Sequence, residues 1–126
     1  MPTIEHFAIY AADAPTLKDF YADAFGLKVV VESGGDPPGY FLADGRGTAI
    51  EIIGRPAGQS GANQRWVCHL AFWVDDFQAV RALLEQRGLA FETDTAVDTP
   101  ALRTAFFNDP EGNRLQIVWR QNRLGS

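Results

Sequence analysis

The sequence predicts an α+β fold of two tandem β-α-β-β-β modules, each a mixed sheet carrying its helix on one face. Three observations predict it. First, a His-centred apolar stretch occurs twice, as Ile4-Glu5-His6-Phe7-Ala8-Ile9-Tyr10-Ala11-Ala12-Asp13 and as Val67-Cys68-His69-Leu70-Ala71-Phe72-Trp73-Val74-Asp75-Asp76. In both, Ala follows the His by two positions and Asp follows it by seven. Second, each stretch runs into a helical pattern that closes at a glycine, Gly26 or Gly88. Third, Phe41-Leu42-Ala43-Asp44 resembles Phe106-Phe107-Asn108-Asp109, with Gly47 and Gly112 three residues past the Asp. Four residues beyond each Gly a polar residue interrupts an apolar strand: Glu51 in one copy, Gln116 in the other. An internal repeat of this kind sets the architecture before any single element is assigned.

The elements follow in order. Residues 3–10 alternate as a strand, with Phe7 and Ile9 on one face and Ile4, His6, Ala8 and Tyr10 on the other. Asp13 and Pro15 signal a helix start. Leu17, Phe20, Tyr21, Ala24 and Phe25 make its apolar stripe, and Gly26 suits its C-terminal cap. Lys28 to Glu32 is a β-branched strand, and Ser33 to Gly39 is a turn dense in Gly and Pro. Tyr40 to Ala43 and Thr48 to Ile53 are strands joined by a tight turn. Residues 55–65 contain no large apolar side chain and read as a linker. The second module, about 66–120, starts with a strand through His69. Asp75 or Asp76 caps its helix, whose buried face is Phe77, Val80, Leu83 and Leu84. Leu89 to Glu92 reads as a strand, Thr93 to Pro100 as irregular, and Leu102 to Asn108 and Asn113 to Trp119 as the closing pair. Module one spans about 3–54, and the whole chain forms one domain. The sheet face away from each helix is concave, and the two modules together are expected to form a cup-shaped cavity.

Composition bounds the function. The chain has 126 residues, 46% of them apolar, enough to bury a core. A net charge of −5 argues against a nucleic-acid partner, which needs a basic face. Cys68 is the single cysteine, which excludes an intramolecular disulfide and suits a reducing compartment. No signal peptide pattern and no run of transmembrane length is visible, so the cytoplasm is expected, with no membrane partner.

The chemistry gathers on His6, Glu51, His69 and Gln116. Alternation turns Ile50, Ile52, Leu115 and Ile117 toward the helices and these polar residues toward the other face. A mid-strand His is compatible with a hydrogen-bonded core role, but two at matching repeat positions point further. A mid-strand Glu between isoleucines is costly to bury without a partner, so Glu51 is the sharpest functional signal. Gln116 fits a structural or a functional role. Two imidazoles and a carboxylate suit a divalent transition metal such as Zn, Ni, Mn, Co or Fe. Glu51 is also the candidate catalytic base, a role that requires hydrogen-bond reach to the substrate proton. Trp66, Trp73, Trp119, Phe72 and Tyr40 are candidates for an aromatic pocket or for core. Arg46, Arg55, Arg65 and Arg103 are candidates for an anionic substrate or for solvated loop charge. Cys68 alternates away from His69 and is expected to be buried against a helix.

The His6 strand, the helix residues Phe20-Tyr21 and Phe25-Gly26-Leu27, and the turn Asp109-Pro110-Glu111-Gly112-Asn113 before the last strand resemble the vicinal oxygen chelate superfamily. That family includes glyoxalase I, bleomycin-resistance proteins, fosfomycin-resistance enzymes, methylmalonyl-CoA epimerase and extradiol dioxygenases. The resemblance covers about residues 3 to 120. It implies a metal held by His6, Glu51, His69 and Gln116, a small substrate with neighbouring oxygens, and a lyase, isomerase or dioxygenase type of reaction. It also implies a homodimer, with a cavity built within one chain or across two. Bleomycin-resistance proteins share the fold without metal, so a metal-free small-molecule-binding protein is the alternative. Gln116 stands where the fosfomycin-resistance enzymes and dioxygenases carry a carboxylate.

Overall fold

The computed structural model describes residues 3–59 and 65–124. The chain divides into two compact units, Met1–Ala62 and Asn63–Ser126. In the first, the strands are β1 (His6–Ala11), β2 (Lys28–Glu32), β3 (Tyr40–Ala43) and β4 (Ala49–Gly54), with helix α1 (Ala14–Phe25) after β1. In the second they are β5 (Leu70–Trp73), β6 (Val97–Asp98), β7 (Leu102–Asn108) and β8 (Arg114–Arg120), with α2 (Phe77–Gln86) after β5. Each unit forms a four-stranded mixed sheet, in the orders β1-β4-β3-β2 and β5-β8-β7-β6. In both, the first strand pairs in parallel with the last, and the remaining pairs are antiparallel. The fold is therefore α+β, with one topology used twice.

Local chemistry accounts for the helix limits. The Asp13 side chain accepts from Thr16 N at 3.1 Å and Asp76 accepts from Ala79 N at 3.1 Å, so each helix opens on an Asp cap. Of the two candidates in the second unit, Asp76 holds the cap. Gly26, at φ 67°, supplies the left-handed C-cap of α1. Each helix buries one stripe. Ala14, Leu17 and Tyr21 of α1 belong to a core with Ile9, Leu42, Ile50 and Ile52. Phe77 and Leu84 of α2 belong to a core with Ala105, Phe107, Leu115 and Ile117. Ile50/Ile52 and Leu115/Ile117 thus take the buried side of the last strands, as the alternation requires.

The structure corrects six expectations, all but one in the second unit. The strand there begins at Leu70, because residues 65–67 form a turn. Cys68 consequently lies outside the sheet and is exposed, not packed on a helix. Leu83 is 46% exposed, which narrows the buried stripe of α2. Residues 89–92 form no strand; the segment is tied to β7 through Glu92 N donating to Phe106 O at 2.8 Å. The short β6 falls instead in the stretch expected to be irregular, where Val97 and Asp98 pair with Thr104 and Arg103. In the first unit the last strand runs one residue later than expected, ending at Gly54.

The turns that launch β4 and β8 share one device. Asp109 is buried, and its Oδ1 accepts from Glu111 N at 2.8 Å and Asn113 N at 2.9 Å, while Oδ2 accepts from Asn113 Nδ2 at 2.7 Å. Asp44 accepts from Arg46 N at 2.7 Å and Thr48 N at 3.2 Å, but is exposed. Water can replace the second set more easily than the first. We expect Asp109→Ala to cost about 2–3 kcal/mol, because it strands buried donors, and Asp44→Ala about 1 kcal/mol. Urea unfolding of the two variants tests the ranking; equal losses would show that burial of the turn is not what matters.

Candidate functional site

The pleat decides which side chains can meet. In the parallel pair β1–β4, Ala8 lies opposite Glu51, so His6, two residues earlier, shares Glu51's face one step along the strand. In β5–β8, Ala71 lies opposite Gln116, and His69 again stands two residues earlier. Each unit therefore repeats a His with a polar residue of its last strand. It also adds a third member from the neighbouring strand. Phe41 lies opposite Glu51 and Phe106 opposite Gln116. His6 meets the Phe41 ring edge-to-face at 5.3 Å, and His69 meets Phe106 in the same way at 4.9 Å. The repeat of Phe41 and Phe106 before the Asp turns carried that signal, although neither residue stood out as functional.

The first unit brings its two predicted residues together. His6 Nε2 stands 3.4 Å from Glu51 Oε1, with both side chains partly exposed. His6 Nδ1 stands 2.9 Å from Glu5 Oε1. An ionised carboxylate only accepts, so Nδ1 carries the hydrogen of that bond. In the neutral ring, Nε2 is then a bare lone pair aimed at a carboxylate. Two acceptors at that distance repel until a positive charge, a proton or a metal cation, comes between them. Glu5 escaped the sequence reading because it precedes the strand and alternation says nothing of it.

The second unit is arranged differently around the same frame. His69 is exposed, and Gln116 is partly buried on β8. The Arg114 guanidinium lies over the Phe106 ring, 3.7 Å from its centre. It is held there by Glu92, which accepts from Nε and Nη2 at 2.9 Å each, and by the Arg65 carbonyl, which accepts from Nη1 at 3.1 Å. Arg65 in turn contacts Glu92 at 2.8 Å and Asp94 at 2.9 Å. The hydrogen bonds from Arg114, aided by Thr95, hold the Glu92 carboxyl below its ordinary range against the opposing effect of burial. Arg65 is thus engaged within its own unit, and so is Arg103, which pairs with Asp98 at 3.2 Å. Arg55 donates to Tyr10 O at 3.3 Å. Trp73 donates from Nε1 to Asp75 at 3.0 Å, with Arg123 over its ring. Trp66 has the Arg65 and Arg114 guanidinium groups near its ring, whereas Tyr40 is buried. Within either unit, among the described residues, no three His, Cys, Asp or Glu side chains gather into a metal-binding group.

The buried Arg114–Glu92 pair makes a stability prediction with a definite sign. Glu92 titrates lower in the folded chain than in the unfolded one. Its contribution is complete above the ordinary carboxyl range and is lost as the pH falls through the lower folded value. We expect Arg114→Ala to cost about 2 kcal/mol at neutral pH, because Glu92 loses two charge-assisted hydrogen bonds while keeping Arg65 and Thr95. The difference between wild type and variant should shrink toward acid pH. Denaturant melts at neutral and acidic pH check it, and a difference independent of pH would show that packing on Phe106, not the charge pair, sets the cost.

Comparison with known proteins agrees with this fold. A family model described as the Glyoxalase/Bleomycin resistance protein/Dioxygenase superfamily matches residues 3–117. The protein YaeR of Escherichia coli (strain K12), itself uncharacterized, is 32% identical over 121 residues, covering 90% of this chain and 93% of that protein. Among solved structures, TnmS3, an antibiotic-binding protein from Streptomyces sp. CB03234, superposes with a TM-score of 0.76 at 25% identity, covering 96% of this chain and 98% of that one. The genomically encoded fosfomycin resistance protein FosX of Listeria monocytogenes, complexed with Mn(II) and sulfate, shares the fold at a TM-score of 0.74 and 15% identity, covering 98% and 93%. No helix among the described residues is long and apolar enough to cross a membrane.

Proposed function

Because the chain belongs to the Glyoxalase/Bleomycin resistance protein/Dioxygenase superfamily, we propose that it is a metal-assisted enzyme of lyase, isomerase or dioxygenase type acting on a small substrate with neighbouring oxygens. The observation that carries this reading is the bare Nε2 of His6 facing the Glu51 carboxylate at 3.4 Å. The donor chemistry fits a divalent ion: imidazole nitrogen and carboxylate oxygen are ordinary ligands of Zn, Ni, Mn, Co and Fe. The ligand set in this reading is His6, Glu51, His69 and the amide oxygen of Gln116. A bound ion would act as a Lewis acid on the substrate's adjacent oxygens.

The chain's own residues do the rest. Glu5 fixes the His6 tautomer so that Nε2 is the free nitrogen, the usual role of an outer carboxylate on a liganding His. Glu51 holds charge beside the substrate and is the one carboxylate of the set, so it is also the group that takes a proton. Phe41 and Phe106 brace the two imidazoles edge-to-face.

A second reading is a metal-free small-molecule-binding protein, and a specific feature favours it. Gln116 supplies a neutral amide, a poorer metal ligand than a carboxylate. TnmS3 is described as an antibiotic-binding protein.

Isothermal titration of Zn and Ni separates the two. In the metal reading Glu51→Gln weakens binding by roughly tenfold or more, and Gln116→Glu strengthens it by about as much, because a charge-assisted contact is worth about 1–3 kcal/mol. Gln and Glu are nearly isosteric, so neither change disturbs packing. In the metal-free reading neither protein binds metal above background, and Gln116→Glu only destabilises the fold. That second pattern would sink the metal-assisted enzyme.

A further inference from the structure

The first unit contains a cavity of about 200 Å³ that adjoins Glu51. Its floor is the sheet face itself: Val31 of β2, Phe41 of β3, and Glu51 with Ile53 of β4. Its wall is the loop 33–39, closed at the neck by two bonds. Ser33 N donates to Gly39 O at 2.9 Å, and Gly39 N donates to Ser33 Oγ at 2.8 Å. Pro37 lies so close over Gly54 that a Cβ at that position would overlap its ring, so Gly54 is what lets the loop seat here.

The lining selects by chemistry. Four of its lining groups are hydrocarbon: the Val31 and Ile53 side chains and the Phe41 and Pro37 rings. Neither Lys nor Arg lines it, and its one charged group is the carboxylate of Glu51. An anionic substituent entering here would meet that negative charge with no counter-charge and would lose its hydration. An apolar substituent would exchange water for hydrocarbon contact. The volume limits the size. Apolar cavities somewhat smaller, about 150 Å³, hold a benzene ring. The second unit offers no such room around its matching aromatic, since Arg114 lies over Phe106 where the first unit has Ala49 at the corresponding strand position.

We propose that this cavity is the specificity pocket of the Glu51 site, and that it takes one small uncharged apolar group, a branched aliphatic chain or a single aromatic ring, attached next to the substrate's neighbouring oxygens. Phosphorylated and dicarboxylic compounds are excluded at this position. The assignment rests on His6 and Glu51 being the reacting site, as argued above. It goes further by stating which substituent lies beside them.

The test uses hydroxamates, which present two adjacent oxygens. Binding of benzohydroxamate and acetohydroxamate to the Zn-loaded protein is measured by titration calorimetry, in wild type and in Val31→Trp. Val31 is half exposed, so a larger side chain enters the cavity without disturbing the core. Ile53→Phe is a second filling variant, with circular dichroism as the check on folding. Wild type should prefer benzohydroxamate on the order of tenfold or more, from burial of the ring. Either variant should bring that ratio close to one while leaving acetohydroxamate unchanged. A wild-type ratio near one, or a preference that survives in both filled variants, overturns the pocket. If neither hydroxamate binds in a metal-dependent way, the metal reading fails, and the pocket is judged on the metal-free protein. There, benzamide but not acetamide should shift the amide resonances of Val31, Phe41 and Ile53 in a nitrogen-15 spectrum, and no such shift overturns it.

Discussion

One constraint governs both units: on the last strand, the apolar residues on either side of a polar one have to reach the helix. Ile50 and Ile52 are buried in the first core, and Leu115 and Ile117 in the second. Each large apolar side chain buried this way is worth about 1.5–3 kcal/mol relative to exposure. Shifting the strand by one residue would exchange both for a single Glu or Gln. The pleat therefore leaves Glu51 and Gln116 no choice of side. Because β1 pairs in parallel with β4, His6 falls on the face of Glu51, and His69, just before β5, meets Phe106, which stands opposite Gln116. Core packing, which is ordinary, is what holds the chemistry in register.

The two units meet this constraint alike and then diverge on the opposite face. In the first, a carboxylate faces a bare imidazole nitrogen and a cavity stays open beside them. In the second, the residue matching Ala49 is Arg114, and its guanidinium occupies the space over Phe106. Burying that cation is tolerable because Glu92 accepts two of its N–H groups and the Arg65 carbonyl a third. The first unit keeps its face open beside the His–Glu pair, and the second fills the matching space with an ion-paired guanidinium.

The repeat made the fold readable. The strand and helix periods, the Asp caps and the Asp-to-Gly turns are local signals, and each names its own geometry. The faces of Glu51 and Gln116 were readable for the same reason. What escaped the sequence depends on partners distant along the chain. Arg114 reads as an ordinary strand cation until Glu92, twenty-two residues away, is seen to hold it. Residues 89–92 have strand-like composition, yet serve to place that carboxylate, and the sheet's edge is taken by Val97 and Asp98 instead. Alternation misplaces Cys68 because the strand starts only at Leu70, two residues later. The Gly- and Pro-rich loop after β2 announced a turn; that it walls a cavity depends on Gly54, fifteen residues past its end at Gly39.

Glu5 shows how little is needed to give one copy of a repeat its own chemistry. The residue before His69 is Cys68, which offers no strong acceptor to Nδ1. The residue before His6 is a carboxylate, and it takes the Nδ1 hydrogen at 2.9 Å. That single bond favours the tautomer with its hydrogen on Nδ1, and so leaves Nε2, the nitrogen that faces Glu51, without one. Without it the ring could present Nε2–H to the carboxylate and make a charge-assisted hydrogen bond. With it, a neutral ring sets a lone pair against an anion, an arrangement that a positive charge between them would relieve. The contrast between the two units at this point thus arises from an exposed residue outside the sheet, acting on a face that the core has already chosen.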